Sequence, residues 1–424
     1  MKDNHKSKIP FTSYDLGWVI LCIGMAIGSG IVLMPIQIGL KGVWVFLFSI
    51  LLSYPAIYLL QNLYLRTLSE TKECDNYTGI ITQYLGKNWG IALGIIYFLM
   101  LLTGILGYSL AITYDGASYL KTFGLTNKTL SDSFWFPLII LSLLVFIASQ
   151  GEKILFKISG PMVIIKFGII LILGFFMIPH WNFDNIKAMP DLLSFTRDVF
   201  LTLPFTLYSI LFVQILNPMN IAYRKVENNK EIAIYRAIRT NRIAYFVLAV
   251  GVLFYAFSFT FSISYEQAVS AFEQNISALA IAAQVIPGST VKVMATLLNI
   301  FSLITAFLGI YLGIHESIKG IIVNIISRFI PNNKISNKLL DILIGIFVIL
   351  SLSIWVSTKF PVLLVFQLAG PLYGIVACLI PVYLVYKVDS LQKYKKYSSI
   401  YIAFFGLLLC ISPFLKLFEW NKDV

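Results

Sequence analysis

The chain has 424 residues, 58% of them hydrophobic and 12% charged, with a formal net charge of +12 and a mean hydropathy of +0.83. Soluble globular chains carry about 25% charged residues, so this composition excludes a soluble fold and implies a polytopic membrane protein. Nucleic acid is not the expected partner, because the basic residues fall between apolar spans rather than in one patch.

Apolar runs of spanning length lie at about 15–36, 43–65, 89–113, 134–149, 158–178, 198–219, 242–263, 291–314, 340–357, 362–386 and 399–418. A spanning helix needs roughly 20 such residues, so eleven transmembrane helices are expected, with the termini on opposite sides. The polar N-tail, residues 1–14, has no cleavage site, and the first span is read as retained. Counting Lys and Arg gives 22 on the N-tail and even loops against 8 on the odd loops and C-tail. That bias predicts a cytoplasmic N-terminus and a periplasmic C-terminus. Cys22, Cys74, Cys378 and Cys410 show neither CxxC nor metal-ligand spacing, so no disulfide framework, metal or cofactor is expected.

Residues 15–38 are the most informative stretch. Gly24, Gly28, Ser29 and Gly30 sit where the hydrocarbon is deepest, and Pro35 follows. Glycine lets a backbone leave helical geometry, and broken backbone at membrane depth persists only beside protein or a water-filled cavity. Two readings stand: a small-residue packing face, which Gly24-x-x-x-Gly28 fits, or a transport site at a broken helix. Helix 6 carries Pro204 and Pro218 inside an apolar run. If helices 1–5 and 6–10 are inverted repeats, about 15–178 and 198–386, the interrupted helices occupy matching places. Interrupted helices at matching places are a pointer to a transport site. Residues 399–418 would then be an additional helix 11. Elsewhere, 71–88 and 315–330 read as interfacial segments and 263–286 as a short helical lid.

The run GMAIGSGIVLMPIQIG in helix 1 resembles the opening motif of the hydroxy/aromatic amino acid permease family, part of the amino acid–polyamine–organocation superfamily. Further similar pieces follow in order over some 370 residues: YSLAIT, GEK, IPHWN, TLPF, EQNIS, FLGIYLG, GP and IPVYLVYKV. The resemblance implies an all-α inner-membrane amino acid symporter of about 11 helices, a five-plus-five inverted repeat with helices 1 and 6 broken, driven by protons. By that resemblance, Ala26, Ile27, Gly28, Ser29 and Gly30 take the substrate's α-amino and α-carboxylate groups. The dipoles of half-helix ends agree: free N–H groups favour a carboxylate and free C=O groups a cation. Tyr108, Thr206, Tyr208 and Ser209 would line the side-chain pocket, with ordinary helix packing as the alternative reading of each. Ser302 and Thr305 of helix 8 would stand beside the coupling ion.

Lys166 lies in helix 5, about eight residues or 12 Å from its cytoplasmic end. A charged amine there costs several kcal/mol unless it meets a cavity or a partner. Some sodium-independent members of the superfamily place a helix 5 amine where sodium-coupled relatives bind the ion. By that likeness Lys166 contacts helix 1 carbonyls and helix 8 hydroxyls; the alternative is snorkelling to the headgroups. A sodium-coupled symporter is the alternative function. Substrate signals conflict. The overall match leans to the serine/threonine branch, whereas Lys166 and the apolar run Ile210, Leu211, Phe212, Val213, with Gln214 and Asn217 its nearest polar side chains, lean to the aromatic one.

Asp15 and Glu152 read as interfacial, Asp115 as a residue on an entry path, and His180 and His315 as structural. An enzyme would need a catalytic constellation and a channel a charged ring or carbonyl filter; neither is visible. A monomer is expected, since all five-plus-five elements lie in one chain.

Overall fold

The computed structural model describes residues 9–71, 77–150, 152–186, 188–326 and 337–416. Those residues form eighteen α-helices joined by short 3₁₀ turns and loops, with no strand among them. The first half contains α1 (Ser13–Ala26), α2 (Ser29–Lys41), α3 (Val43–Ser69), α4 (Tyr77–Leu85), α5 (Lys87–Thr122), α6 (Trp135–Ala148) and α7 (Glu152–Met177). The second contains α8 (Leu192–Ile210), α9 (Val213–Val226), α10 (Lys230–Ser262), α11 (Tyr265–Glu273), α12 (Ala278–Val285), α13 (Ser289–Ile326) and α14 (Asn337–Ser357). The chain ends with α15 (Val362–Leu368), α16 (Gly370–Tyr373), a π-helical turn at Gly374–Leu379, α17 (Ile380–Lys387) and α18 (Tyr397–Lys416).

Each of the eleven apolar stretches holds a helix. Among the described residues nine helices are long and apolar enough to cross a membrane, and α1 with α2 makes a tenth span bent by 45°. The stretch at 134–149 forms α6, only 14 residues and so about 21 Å long. Large apolar side chains such as Ile139, Phe146, Phe175, Val250 and Ile354 face outward, which suits acyl chains rather than water.

Local chemistry sets the helix ends. Thr12 and Asp15 form a capping box at α1, Asp191 and Asn229 cap α8 and α10, and Ser264 with Gln267 boxes α11. Gly42, at φ 95°, turns the chain from α2 into α3, a left-handed conformation open to glycine without a Cβ clash. Both segments read as interfacial contain helix. Residues 77–85 are a short helix packed on α5, and α13 continues to Ile326 instead of stopping near 314. The segment 263–286 folds as two short helices, α11 and α12, which lie over α2, α5 and α13. We refer to that end of the molecule as the lid face, and to the end where α1 and α10 begin as the N-face.

Candidate functional site

The helix 1 break separates α1 from α2 at Ile27 and Gly28. Gly28 has no capping side chain, and the first N–H groups of a helix have no intrahelical acceptor. The break therefore presents N–H donors on one side and carbonyl acceptors on the other. A Cβ on Gly28 would sit 2.9 Å from the Tyr108 hydroxyl, and one on Gly30 would collide with the Tyr208 carbonyl carbon. Glycine at position 30 is thus what lets helix 1 touch the helix 6 backbone. Gly24 also packs tightly, where a Cβ would strike Val163 of helix 5. The packing face and the broken helix coexist in one element. The side chain of Ser29 lies outside the described residues.

The second break, at Leu211 and Phe212, separates α8 from α9. Its freed amide is held from helix 2: the Phe212 N–H donates to Gln61 Oε1 at 3.1 Å. Tyr54, also on helix 2, bonds Ser209 Oγ at 3.1 Å. The Ser209 and Thr206 hydroxyls donate to the Thr206 and Leu203 carbonyls of their own helix. Both face helix 6 and helix 2 packing more than open space.

Between the breaks stands an aromatic cluster. Tyr108 packs edge-on to Phe366 at 5.4 Å, Tyr208 packs on Phe366 at 6.2 Å and on Tyr373 at 5.0 Å. Gln214, at the start of α9, donates to the Tyr373 hydroxyl at 3.2 Å. Among the described residues the buried Tyr208 hydroxyl, Gln214 Oε1 and Ser302 Oγ find no hydrogen-bond partner. Unpaired buried polar atoms cost free energy, and a ligand that pairs them recovers it. Phe366 and Tyr373 come from helix 10, which sequence reading left out. The signal was the irregular helix 10 around Gly370 and Pro371: π-turns recur at functional sites.

Lys166 is fully buried. Its Nζ donates to the carbonyls of Gly24 at 3.3 Å and Ile27 at 3.1 Å, and to Thr305 Oγ1 at 3.0 Å. The ammonium therefore turns inward, away from the headgroups, onto the C-terminal carbonyls of α1, where a positive charge is favoured. Thr305 Oγ1 in turn donates to the helix 8 carbonyls of Phe301 and Ser302. One cation joins helices 1, 5 and 8 at the break.

Three acidic groups carry expectations from the sequence. Asp15, in the first turn of α1, is wholly buried. It accepts two bonds from Arg236, at 3.1 and 2.9 Å, one from Tyr223 at 2.7 Å and one from Arg239 at 3.4 Å. Arg239 also donates to the carbonyls of Ile9 and Pro10, which ties residues 9 and 10 to the cation that touches the carboxylate. Asp115 is buried too, in a polar cluster under the lid. The side chain of Glu152 lies outside the described residues. His315 pairs with Asp341 at 3.5 Å.

Comparison with known proteins agrees with this geometry. The chain is 50% identical to the probable serine transporter of Escherichia coli strain K12, covering 97% of this chain and 93% of that one. It is 25% identical to the serine transporter SdaC of the same strain, covering 97% of each. Among solved structures, a manganese transporter of Eremococcus coleocola, in complex with an aromatic bis-isothiourea substituted compound, matches with a TM-score of 0.56. That match has 12% identity, over 98% of this chain and 91% of that one, and speaks for the fold alone. The fold is that of an all-α, five-plus-five inverted-repeat transporter with helices 1 and 6 broken. Residues 13–412 match the tryptophan/tyrosine permease family. With that match and the half-identical relative, the chain belongs to the tryptophan/tyrosine permease family and is a multi-pass membrane amino acid transporter, not an enzyme.

Proposed function

We propose that the protein imports serine, or a hydroxy amino acid of its size, across the bacterial inner membrane by proton symport, with its N-terminus in the cytoplasm. The observation that carries the coupling reading is the seat of the Lys166 ammonium against the Gly24 and Ile27 carbonyls and the Thr305 hydroxyl. Those are oxygen ligands of the kind that would suit a sodium ion; with the amine there, a proton carried on nitrogen does the ion's work. Lysine beside a transport cavity is a group that gains and loses a proton with changes of hydration. Its deprotonation would release the helix 1 carbonyls and the half-helix they terminate.

Substrate α-carboxylate and α-amino groups fit the donors and acceptors of Ile27 to Gly30, as half-helix termini accept charges of opposite sign. Ala26 ends α1 beneath them. The relative that is half identical is named as a probable serine transporter, which weighs for the hydroxy branch. The aromatic cluster supports the same reading, because Tyr108, Phe366, Tyr208 and Tyr373 already fill the space between the breaks with rings. What they leave are polar tips: the Tyr208 hydroxyl and Gln214 Oε1, both unpartnered. A serine hydroxyl donates to the amide oxygen and accepts from the phenol, whereas an indole or phenyl ring would have to displace aromatic side chains.

The test is uptake of labelled L-serine into proteoliposomes with an imposed proton gradient and no sodium. Concentrative uptake, competed by L-serine and L-threonine and not by L-tryptophan, is the expected result. Competition by tryptophan alone would move the substrate to the aromatic class, and a requirement for sodium would remove Lys166 from the coupling role.

A further inference from the structure

On the lid face a second buried ionisable group is built into the helices. Asp115 of α5 is 2% exposed. Its Oδ1 accepts from the Ser277 N–H at 2.8 Å, and its Oδ2 from Asn299 Nδ2 at 2.6 Å. The same Asn299 nitrogen lies 2.7 Å from the Tyr119 hydroxyl and 2.9 Å from Ser277 Oγ. Ser277 is the N-cap of α12, its hydroxyl accepting from Ala280 N–H at 3.2 Å. Thus α5, α13 and the second lid helix meet on one carboxyl group whose hydrogen-bond partners are all neutral.

The proton count in this cluster is unusual. An amide nitrogen carries two hydrogens, yet three oxygens surround Asn299 Nδ2 within 2.9 Å. The Asn299 amide oxygen, meanwhile, is buried with no donor. With Asp115 ionised, the amide N–H groups serve the carboxylate and one hydroxyl. With a proton on Asp115, a half-turn of the amide places its oxygen among three O–H donors: Asp115, Tyr119 and Ser277. The flip exchanges an unpartnered amide oxygen for an unpartnered amide NH2, so each protonation state leaves one buried amide group unpaired and neither locks the cluster.

The open space beside the cluster reaches its chain neighbours, not Asp115 itself. A cavity of about 570 Å³ opens on the lid face and is lined by Tyr114 and Ser118, which flank Asp115 on α5. Gln284 of α12 closes its inner wall by donating to Ser118 Oγ at 2.9 Å. Other ionisable groups near the cluster are few. Tyr255 of α10 stands near Tyr119, Lys292 of α13 donates further out to the Thr122 carbonyl, and Lys121, Glu273 and the paired Asp132 and Lys359 line the cavity. The α12 segment itself, ALAIAAQV, carries no charge.

We propose that Asp115 is a second proton-binding site and that its protonation state sets the grip of α5 and α13 on the lid. Ionised, it places a negative charge at the start of α12, where a helix favours one, and makes charge-assisted bonds to Ser277 and Asn299. A proton reaching Asp115 forms the O–H bond on Oδ2, turns the amide and leaves the lid held by neutral bonds alone. The lid then lifts on its outer side.

The proposal takes from the transporter reading only its use in a cycle, and its test needs no substrate. Ala278, 2% exposed at the start of α12, is replaced by cysteine in a chain whose four native cysteines are removed. Its labelling by a membrane-impermeant maleimide is measured in proteoliposomes against lid-side pH, normalised to an exposed Gln274→Cys control that carries the intrinsic pH dependence of the thiol. The normalised rate should rise roughly tenfold on acidification, the ratio separating a charge-assisted from a neutral hydrogen bond. Asp115→Asn should be fast at every pH, and Asp115→Glu should keep the dependence. A flat profile with Asp115 intact overturns the proposal whatever the variants do, and so does a pH dependence that persists in Asp115→Asn.

Discussion

The two ends of the helix bundle hold buried carboxylates set in opposite ways. At the N-face, Asp15 is chelated by Arg236 and touched by Arg239, with Glu227 paired to the other side of Arg236. At the lid face, Asp115 meets an amide, a backbone N–H and hydroxyls. Both carboxylates are buried, but only one has cations. A buried ion pair resists any change that removes one partner, because the other charge is then stranded. A carboxyl group among neutral donors can gain a proton and keep its bonds. If the Asp115 proposal holds, the N-face opens only by a large rearrangement and the lid face by a small chemical event.

Removing Arg236 should break this contrast most severely. Arg236→Ala leaves Asp15 with Arg239 as its one cation, beside the neutral donors Tyr223 and Thr12, and should lower stability by about 3 kcal/mol, the low end for an interrupted buried pair. Thermal unfolding in detergent reads it, with transport expected to fall as the N-face seal loosens. Asn299→Ala, at the other face, removes the shared donor of Asp115, Tyr119 and Ser277, at a cost of about 1–3 kcal/mol. The same unfolding assay should therefore rank it below Arg236→Ala, and the reverse order would contradict the comparison.

Gln61 tests what lies between the seals. Gln61→Leu leaves the Phe212 N–H without its acceptor and should cost about 1–2 kcal/mol. Since the loss falls on the helix 6 break, serine KM should rise along with the loss of stability. The smallest effect belongs to Glu70, just beyond α3 on the N-face. Burial pushes its carboxyl up, but hydrogen bonds from Lys393 and Tyr394 and the charge of Lys230 outweigh this and hold it below the ordinary carboxylate value. A carboxyl shifted down stabilises the fold above its unfolded-state value and loses that contribution as pH falls through the folded one. Glu70→Gln should thus cost less than about 1 kcal/mol at neutral pH, since Lys393 and Lys230 are largely solvated. In acid its unfolding curve should converge on that of the unmodified chain.

Much of this architecture was legible in the chain. Hydropathy located all eleven helical stretches because a bilayer demands length and apolarity whatever the packing. The Gly-rich run of helix 1 announced a break, and a lysine amid PMVIIKFGII announced an amine with somewhere to go. Less visible was everything made by distant partners. The place of Asp15 at the start of a span says nothing of Arg236, 221 residues on. Tyr373 and Phe366 escaped notice because aromatic residues in an apolar helix look like lipid-facing bulk until helix 10 is placed beside helix 6. Gln61 sits inside an unbroken span, and its use depends on a break in another helix. Hydropathy reports how a segment partitions, not which faces meet.

In the proposed function the Lys166 amine stands in for a coupling ion between helices 1, 5 and 8. The most direct measurement compares Lys166→Ala with the unmodified protein in proteoliposomes, following serine counterflow and proton-gradient-driven accumulation separately. Counterflow should persist while accumulation driven by the gradient is lost. Accumulation undiminished in Lys166→Ala, with the same dependence on the proton gradient, would contradict that role.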